Sequence, residues 1–600
     1  MTTTLRARAE IPVEHTWDVE SVFPSDAEWA AAVAALRATL PELERFKGHL
    51  GEGPEVLAEF LALSERLSRA LDRIAVYAMM RSSTDAADET AAALSDQSRS
   101  LGAQVETALA FVQPELLDIG VDTLRRWVAE FEPLAGRGHW VDRLASRAPH
   151  VRSAEVEEVM GQASEPMDSA AAVHGVLANA ELRFRPAVGA DGREHEVAHG
   201  VYQELLASPD RELRRSAWES YTDAHLALAK TMAACLATGI KRDVFVARAR
   251  RYQDSLDAAL TPNHVPVQVF HNVLAAFRDN LGTWHRYWRV RRRALGLDAL
   301  REFDARAQLA DRVEVSFPQA VDWISEGMAP LGADYVADLR RGVLEERWVD
   351  VYPNRGKRQG AFSLGRPDTR PFIFMSFGGS LQGMSTLAHE LGHSMHNLYS
   401  SREQPYEYSR YGLFVAEVAS NFNQALVRAH LLERETDPKV LVALIEEAMG
   451  NFHRYLLVMP TLSRFELEIH GRVERGEPLT ADGLTELMAD LLADVYGAEV
   501  EMDRRRAGIL WAQFSTHLYR GFYPYQYSTG IAAAHALADG VLAEGRPAAE
   551  RYRRFLAAGG SMYPLDALRL AGVDMATRDP LDRGFAALAR YVDRLEQLVG

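Results

Sequence analysis

His389, Glu390 and His393 stand in the order H-E-x-x-H within STLAHELGHSMHN, Ser385 to Asn397. On an α-helix a step of four residues brings two side chains within about 40° on one face, so the two histidines can offer imidazole nitrogens to a single ion. Glu390 lies about 100° round the same helix, off the ligand face but close enough to reach an attacking water. Two imidazoles and an adjacent carboxylate at this spacing are the parts of a zinc-dependent hydrolase, with the histidines as ligands and the glutamate as general base.

The elements around the motif must hold it there. Leu387, Leu391, Met395 and Leu398 fall opposite the two histidines, which predicts a buried seam behind a polar catalytic face. The preceding FGGSLQG allows an abrupt helix start. A catalytic zinc keeps three protein ligands and an open position. A third ligand a short way along the helix is excluded, because the H-E-x-x-H-x-x-G-x-x-H pattern needs Gly at 396 and His at 399, where this chain has His396 and Tyr399. A carboxylate from another helix is available in GLFVAEVASNFNQAL. Glu417 there shares a side with Ser420, Asn421 and Gln424, while Val415, Val418, Ala419, Phe422 and Leu426 take the opposite side. Periodicity admits two readings of that stretch: a ligand helix packed against the motif helix, or a surface Glu with Asn and Gln in solvent.

Six hundred residues exceed what one hydrophobic core usually serves, so two or more lobes are expected. Apolar content of 47% and charged content of 25% are those of an ordinary soluble globular protein. A formal charge of −17 argues against nucleic acid or an anionic membrane as partner. The single cysteine, Cys235, excludes an intramolecular disulfide, fits a reducing compartment and reads as core packing. The stretch MTTTLRARAEIPVEHTWDV holds no apolar run suited to a signal peptide, and no run of about 18 apolar residues occurs anywhere. The expectation is a cytoplasmic enzyme.

Trp17 to Phe23 reads as a docking segment, followed by helical pattern from a cap at Ser25 to about residue 132, with the Met79-Met80 pair in the core. Asp191-Gly192 within residues 182 to 197 predicts a hairpin. His195 and His199 have i, i+4 spacing, but the backbone there reads as extended, which speaks against a ligand role. The basic run Arg289 to Arg293 shares a helix with Trp284, Tyr287 and Trp288 and reads as a solvated face. Residues 348 to 377 form a second extended region. Its PFIFMSF is a buried strand by composition, and a strand edge beside the metal is what a substrate peptide needs to add as a further strand. Beyond Pro405 the pattern is helical nearly to Gly600, except around Arg520.

Four tyrosines, at 519, 523, 525 and 527, follow His517 closely. They could be aromatic core, or hydroxyls near a metal that stabilise an oxyanion. GKRQGAFS, TLAHELGHSMH, FVAEVASNFNQ and HLYRGFYPYQYSTG resemble, in order and spacing, the oligoendopeptidase F family of thimet-oligopeptidase-like zinc metallopeptidases. The resemblance spans roughly residues 200 to 585, with an amino-terminal region similar in length and character. It implies Glu417 as third zinc ligand beside His389 and His393, Glu390 as catalytic base, and His517 with one or more tyrosines at the oxyanion. Tyr523 and Tyr527 are the choice for that role, with Tyr525 next. His396, about 20° from His389 round the helix, reads as a neighbour of the site or a substrate contact, not a fourth ligand. The chain departs from the family at Gln382-Gly383, where acidic residues are frequent, and at Gln424, where Glu is common.

The resemblance implies a mostly α fold: two helical lobes around a deep substrate channel, with a small β-sheet beside the zinc helix. Residues 1–200 are expected to form an amino-terminal helical region and 201–600 the catalytic domain. The function implied is a zinc endopeptidase of short oligopeptides. A dipeptide-releasing carboxypeptidase of the same fold and a non-catalytic peptide binder are the alternatives.

Overall fold

Periodicity between residues 25 and 132 resolves into a series of helices in the computed structural model, which describes residues 5–600. The first four residues of the amino-terminal stretch read for a leader lie outside that range. Helix Asp26–Thr39 begins where the Ser25 hydroxyl accepts from the Glu28 amide, helix Pro54–Thr84 has proline in its first turn, and Asp88 caps helix Glu89–Ala108. Each device satisfies or removes an amide that a helix start leaves unpaired. Helix accounts for 72% of the structure and strand for 3%, so the fold class is mostly α, as expected. Among the described residues no helix is long and apolar enough to cross a membrane.

Packing divides the chain into two units, each assembled from three stretches. The first takes the chain up to Pro149, Glu314–Val427 and Gly540–Gly572; the second takes His150–Val313, Arg428–Asp539 and Val573–Gly600. In the first unit the core runs from Trp29, Phe60 and Leu101 to Trp17, which packs against the rings of Phe362, Phe372 and Phe374. The docking role expected of Trp17 therefore has a sheet as its receptor. In the second unit the predicted hairpin is β1 (Ala187–Val188) and β2 (Glu194–His195), antiparallel with Ala187 opposite His195. Gly192 takes the left-handed turn, at φ 80°.

The sheet of the first unit comprises β3 (Val349–Asp350), β4 (Phe362–Leu364) and β5 (Phe372–Phe374), in the order β3-β5-β4. PFIFMSF supplies β5, fully buried and central, so the strand with a free edge beside the motif helix is β4. Beneath it the Asp350 carboxylate, buried, lies 2.6 Å from Lys357 Nζ and accepts from Arg8 Nη1 at 2.9 Å. Lys357 of the GKRQG motif is thus a structural cation, and the burial of the pair makes loss of either partner costly.

Two expectations needed correcting. Arg291 does not lie on a solvated face: it is 1% exposed, paired with Glu446 at 2.8 Å and donating to backbone carbonyls. Of the Met79-Met80 pair only Met80 is buried, while Met79 is exposed, as two consecutive helix positions 100° apart would be at a core boundary. Cys235 is buried, as its apolar surroundings predicted.

Candidate metal centre

The H-E-x-x-H motif sits in helix Leu381–Glu403, which starts where the Ser380 hydroxyl accepts from the Gly383 amide. Leu387, Leu391 and Met395 are fully buried behind the histidines. Glu417 comes from helix Leu413–Arg434, and the crossing of these two helices is set by Gly392. A Cβ there would come within 2.6 Å of Ser420 Cα and would overlap the Ala419 carbonyl, so only glycine lets the backbones meet. Asn423 Nδ2 donates to the Ala388 carbonyl at 3.2 Å and Gln424 Nε2 to Ser385 Oγ at 2.7 Å, clamping the pair across the crossing. Ser420, Asn421, Asn423 and Gln424 are all buried, which rules out a solvent-facing polar stripe.

The crossing brings three ligand atoms together. Glu417 Oε2 lies 3.4 Å from His389 Nε2 and 3.9 Å from His393 Nε2, and one donor atom from each of the three residues falls within 4.8 Å of the others. Donors bound at about 2.0–2.1 Å in a tetrahedron stand about 3.3–3.4 Å apart, so the pocket fits a small divalent cation with little adjustment. The tautomer also suits a metal. His389 Nδ1 donates to Gln424 Oε1 at 3.1 Å, which leaves Nε2 to face Glu417. The carbonyl of Ala416 accepts from the His393 ring in the same way. Two nitrogens and one carboxylate oxygen leave a fourth position open, as a catalytic site requires.

Burial dominates the electrostatics. It acts against charge on His389 and Glu417, yet each overcomes it through the other: the imidazole is held above its ordinary range and the carboxylate below. His393 is pushed down, burial outweighing the pull of Glu417. Glu390, 5% exposed, is raised to about 7, first by burial, with His389 acting to lower it and Glu417 to raise it. Its carboxylate also accepts from the backbone of Ser363 on β4, whose hydroxyl lies 2.9 Å from that of Ser394. Oε2 of Glu390 is buried and finds no protein donor among the described residues. A carboxyl poised near neutrality with a free oxygen can accept and return a proton.

The remaining sequence-derived candidates separate clearly. His396 is 1% exposed, stacks on Tyr411 at 3.5 Å between ring centres and packs on Phe555, which makes it a buried neighbour of the site on the motif helix. His199 bonds the Tyr221 hydroxyl and the Ala178 carbonyl. His517, Tyr523 and Tyr527 lie in the second unit and form one group: the two hydroxyls are 2.9 Å apart, and the His517 ring is 6.0 and 5.8 Å from the two phenol rings. His517 is pushed down to about 4, by burial and then by the charges of Arg454 and Arg520, so near neutral pH it is an uncharged donor and acceptor. Tyr519 instead bonds buried His174 at 3.1 Å, and Tyr525 is 1% exposed against Phe270, which makes both structural. Sequence reasoning missed Ser363 on β4 and the crossing role of Gly392, although a glycine inside a helical pattern is a visible signal of close approach.

The profile of peptidase family M3 matches residues 204–587, and that of oligopeptidase F matches residues 115–184. Oligopeptidase PepF of Bacillus subtilis is 35% identical over 99% of this chain and 88% of its own length. Group B oligopeptidase PepB of Streptococcus agalactiae is 32% identical over 99% and 98%. Among solved structures, oligoendopeptidase-F from Enterococcus faecium superposes with a TM-score of 0.76 at 28% identity, covering 96% of this chain and 99% of that one. A structure from Chlamydophila abortus reaches 0.89 at 28% identity, covering 99% and 100%. With matches of this extent to sequences and folds alike, the chain belongs to peptidase family M3, among the oligoendopeptidase F proteins.

Proposed function

We propose that this oligopeptidase-type metallopeptidase is a zinc endopeptidase that hydrolyses internal bonds of short peptides, with His389, His393 and Glu417 as ligands and Glu390 as general base. The observation that carries the reading is the convergence of two Nε2 atoms and one Oε2 within 4.8 Å beside a buried carboxylate oxygen that has no hydrogen-bond partner among the described residues. Zinc held by His389, His393 and Glu417 would supply a Lewis acid able to acidify a water and polarise a carbonyl. Glu390 takes the proton of the attacking water and delivers it to the leaving amine, a role suited to a carboxyl near neutrality. The free edge of β4 offers backbone groups along which the peptide lies extended. His517, Tyr523 and Tyr527 donate hydrogen bonds to the oxyanion of the tetrahedral intermediate. Catalysis is assigned to residues 201–600, with residues 1–200 as an amino-terminal helical region, and the protein to the cytoplasm.

Glu390→Gln tests the assignment. The variant should retain one zinc per chain while kcat falls by about 10²–10⁴; near-normal turnover would overturn the mechanism. Peptides blocked at both ends should still be cut, which a dipeptide-releasing carboxypeptidase could not do. A folded protein offered beside a peptide of the same sequence should be spared.

A further inference from the structure

The group around His517 is bordered by arginines that lack acidic partners. In a chain of formal charge −17 many arginines find carboxylates: Arg289 and Arg292 both reach Glu499, at 2.9 and 3.8 Å, and Arg293 pairs with Glu596. Arg454 and Arg520 do not. Both are exposed, and among the described residues neither has an ion pair. Each faces an aromatic ring instead: the Arg454 guanidinium lies 6.0 Å from the centre of the Tyr455 ring, and that of Arg520 lies 5.6 Å from the centre of Tyr523.

Those rings belong to one assembly. Tyr455 stacks on Tyr527 at 5.3 Å with planes 3° apart, and Tyr527 meets Tyr523 through the contact of their hydroxyls. The two guanidiniums therefore sit at either end of the same aromatic group, their five-donor forks not engaged by any carboxylate. A third arginine adds to the field. Arg306 is also exposed and without an ion pair among the described residues, and its charge and that of Arg454 repel each other. Cations gathered on one side of an aromatic group raise the positive potential there and favour an arriving anion.

We propose that Arg454 and Arg520, reinforced by Arg306, form a subsite that binds a carboxylate of the substrate peptide beside His517, Tyr523 and Tyr527. The inference rests on the reading above, in which that aromatic group meets the substrate. Guanidiniums bind carboxylates bidentately and select them over amides of the same shape. The carboxylate can be the peptide's carboxyl terminus or an acidic side chain, and the substrates tested separate the two.

The test uses the zinc-loaded enzyme and one fluorogenic peptide in matched forms: free acid against carboxyl-terminal amide, and Glu against Gln at each position in turn. The wild type should cleave the form with the favoured carboxylate about tenfold better in kcat/KM, equivalent to roughly 1.4 kcal/mol. In Arg454→Gln and Arg520→Gln the ratio should fall toward one through KM, with kcat changing less. Added salt should shrink the wild-type ratio in the same way. Discrimination confined to the free-acid pair identifies the terminus, and discrimination at one Glu position identifies a side chain. A wild-type ratio of one in every pair, or a ratio that survives both substitutions, overturns the subsite. Affinities of the same peptides for Glu390→Gln, read by fluorescence anisotropy, keep the two readings apart. Absent hydrolysis with preserved discrimination in binding would sink the peptidase chemistry alone, and hydrolysis without discrimination would sink the subsite alone.

Discussion

Gln424 should set the affinity of the metal centre. Its Oε1 accepts from His389 Nδ1 at 3.1 Å, while its Nε2 donates to Ser385 Oγ at 2.7 Å and, more weakly, to the Ser385 carbonyl at 3.3 Å. At 4% exposure no solvent replaces these bonds. Gln424→Leu leaves a buried ring N–H without an acceptor, a cost of about 1–3 kcal/mol. Much of that falls equally on metal-free and metal-bound protein and appears as a lower Tm. Affinity loses only the share due to ring orientation and basicity, and outer-shell partners of this kind are worth about 10–100-fold in metal affinity. Gln424→Glu keeps the acceptor and adds a charge that makes the imidazole a better ligand, while the Ser385 hydroxyl can turn to donate. The two variants should therefore move the zinc Kd in opposite directions, Leu weaker and Glu tighter, each by about tenfold or roughly 1.4 kcal/mol. Competition against a chromophoric chelator measures this directly. Both constants within about twofold of wild type would refute the claim that the amide orients and tunes His389.

Glu417→Ala should abolish stoichiometric zinc retention by elemental analysis, and in the metal-free protein the His389 pKa should fall once its raising partner is gone, as read by NMR; unchanged metal content would remove Glu417 from the site. Gly392→Val should force the two helices apart at Ser420 and lower both Tm and zinc content, whereas a variant that keeps both would mean the crossing tolerates a side chain. Glu466, fully buried, accepts from the Phe522 amide at 3.1 Å and is held well above the ordinary carboxyl range, first by burial. The folded state then keeps a proton that the unfolded chain releases, so this contribution is complete below the unfolded pKa and is lost as pH rises toward the folded one. Glu466→Gln should accordingly gain on wild type in Tm between about pH 5 and about pH 8, and a gap that is flat across that range would mean the carboxyl is already ionised in the fold.

Much of the site was legible because its parts lie within one helical turn. His389, Glu390 and His393 carry their geometry in their spacing, and the buried seam of Leu387, Leu391 and Met395 follows from the same period. The hairpin at Asp191-Gly192 was equally local, since the turn chemistry sits in two adjacent residues. Less was legible where burial depends on what packs against a helix. The run Arg289 to Arg293 reads as one solvated stripe, yet Arg291 is enclosed by a neighbour it meets only in the fold, Glu446, 155 positions away. Among the tyrosines from 519 to 527, composition could not distinguish the buried pair, Tyr519 and Tyr525, from Tyr523 and Tyr527, whose hydroxyls meet.

By itself the sequence determined a helical protein, a paired-histidine motif on one helix face and one candidate carboxylate, Glu417, on a stretch that periodicity left open between a ligand helix and a solvated face. The tertiary structure alone decided that the helix of Glu417 packs against the pair with its polar side buried, which strand keeps an open edge beside it, and that Gln424 takes up the free nitrogen of His389. The division follows from the range of the interactions. Helical period and turn preference act over a few residues, whereas the approach of two helices is set by contacts such as Gly392 against Ala419 and Ser420, between positions that only the completed fold makes neighbours.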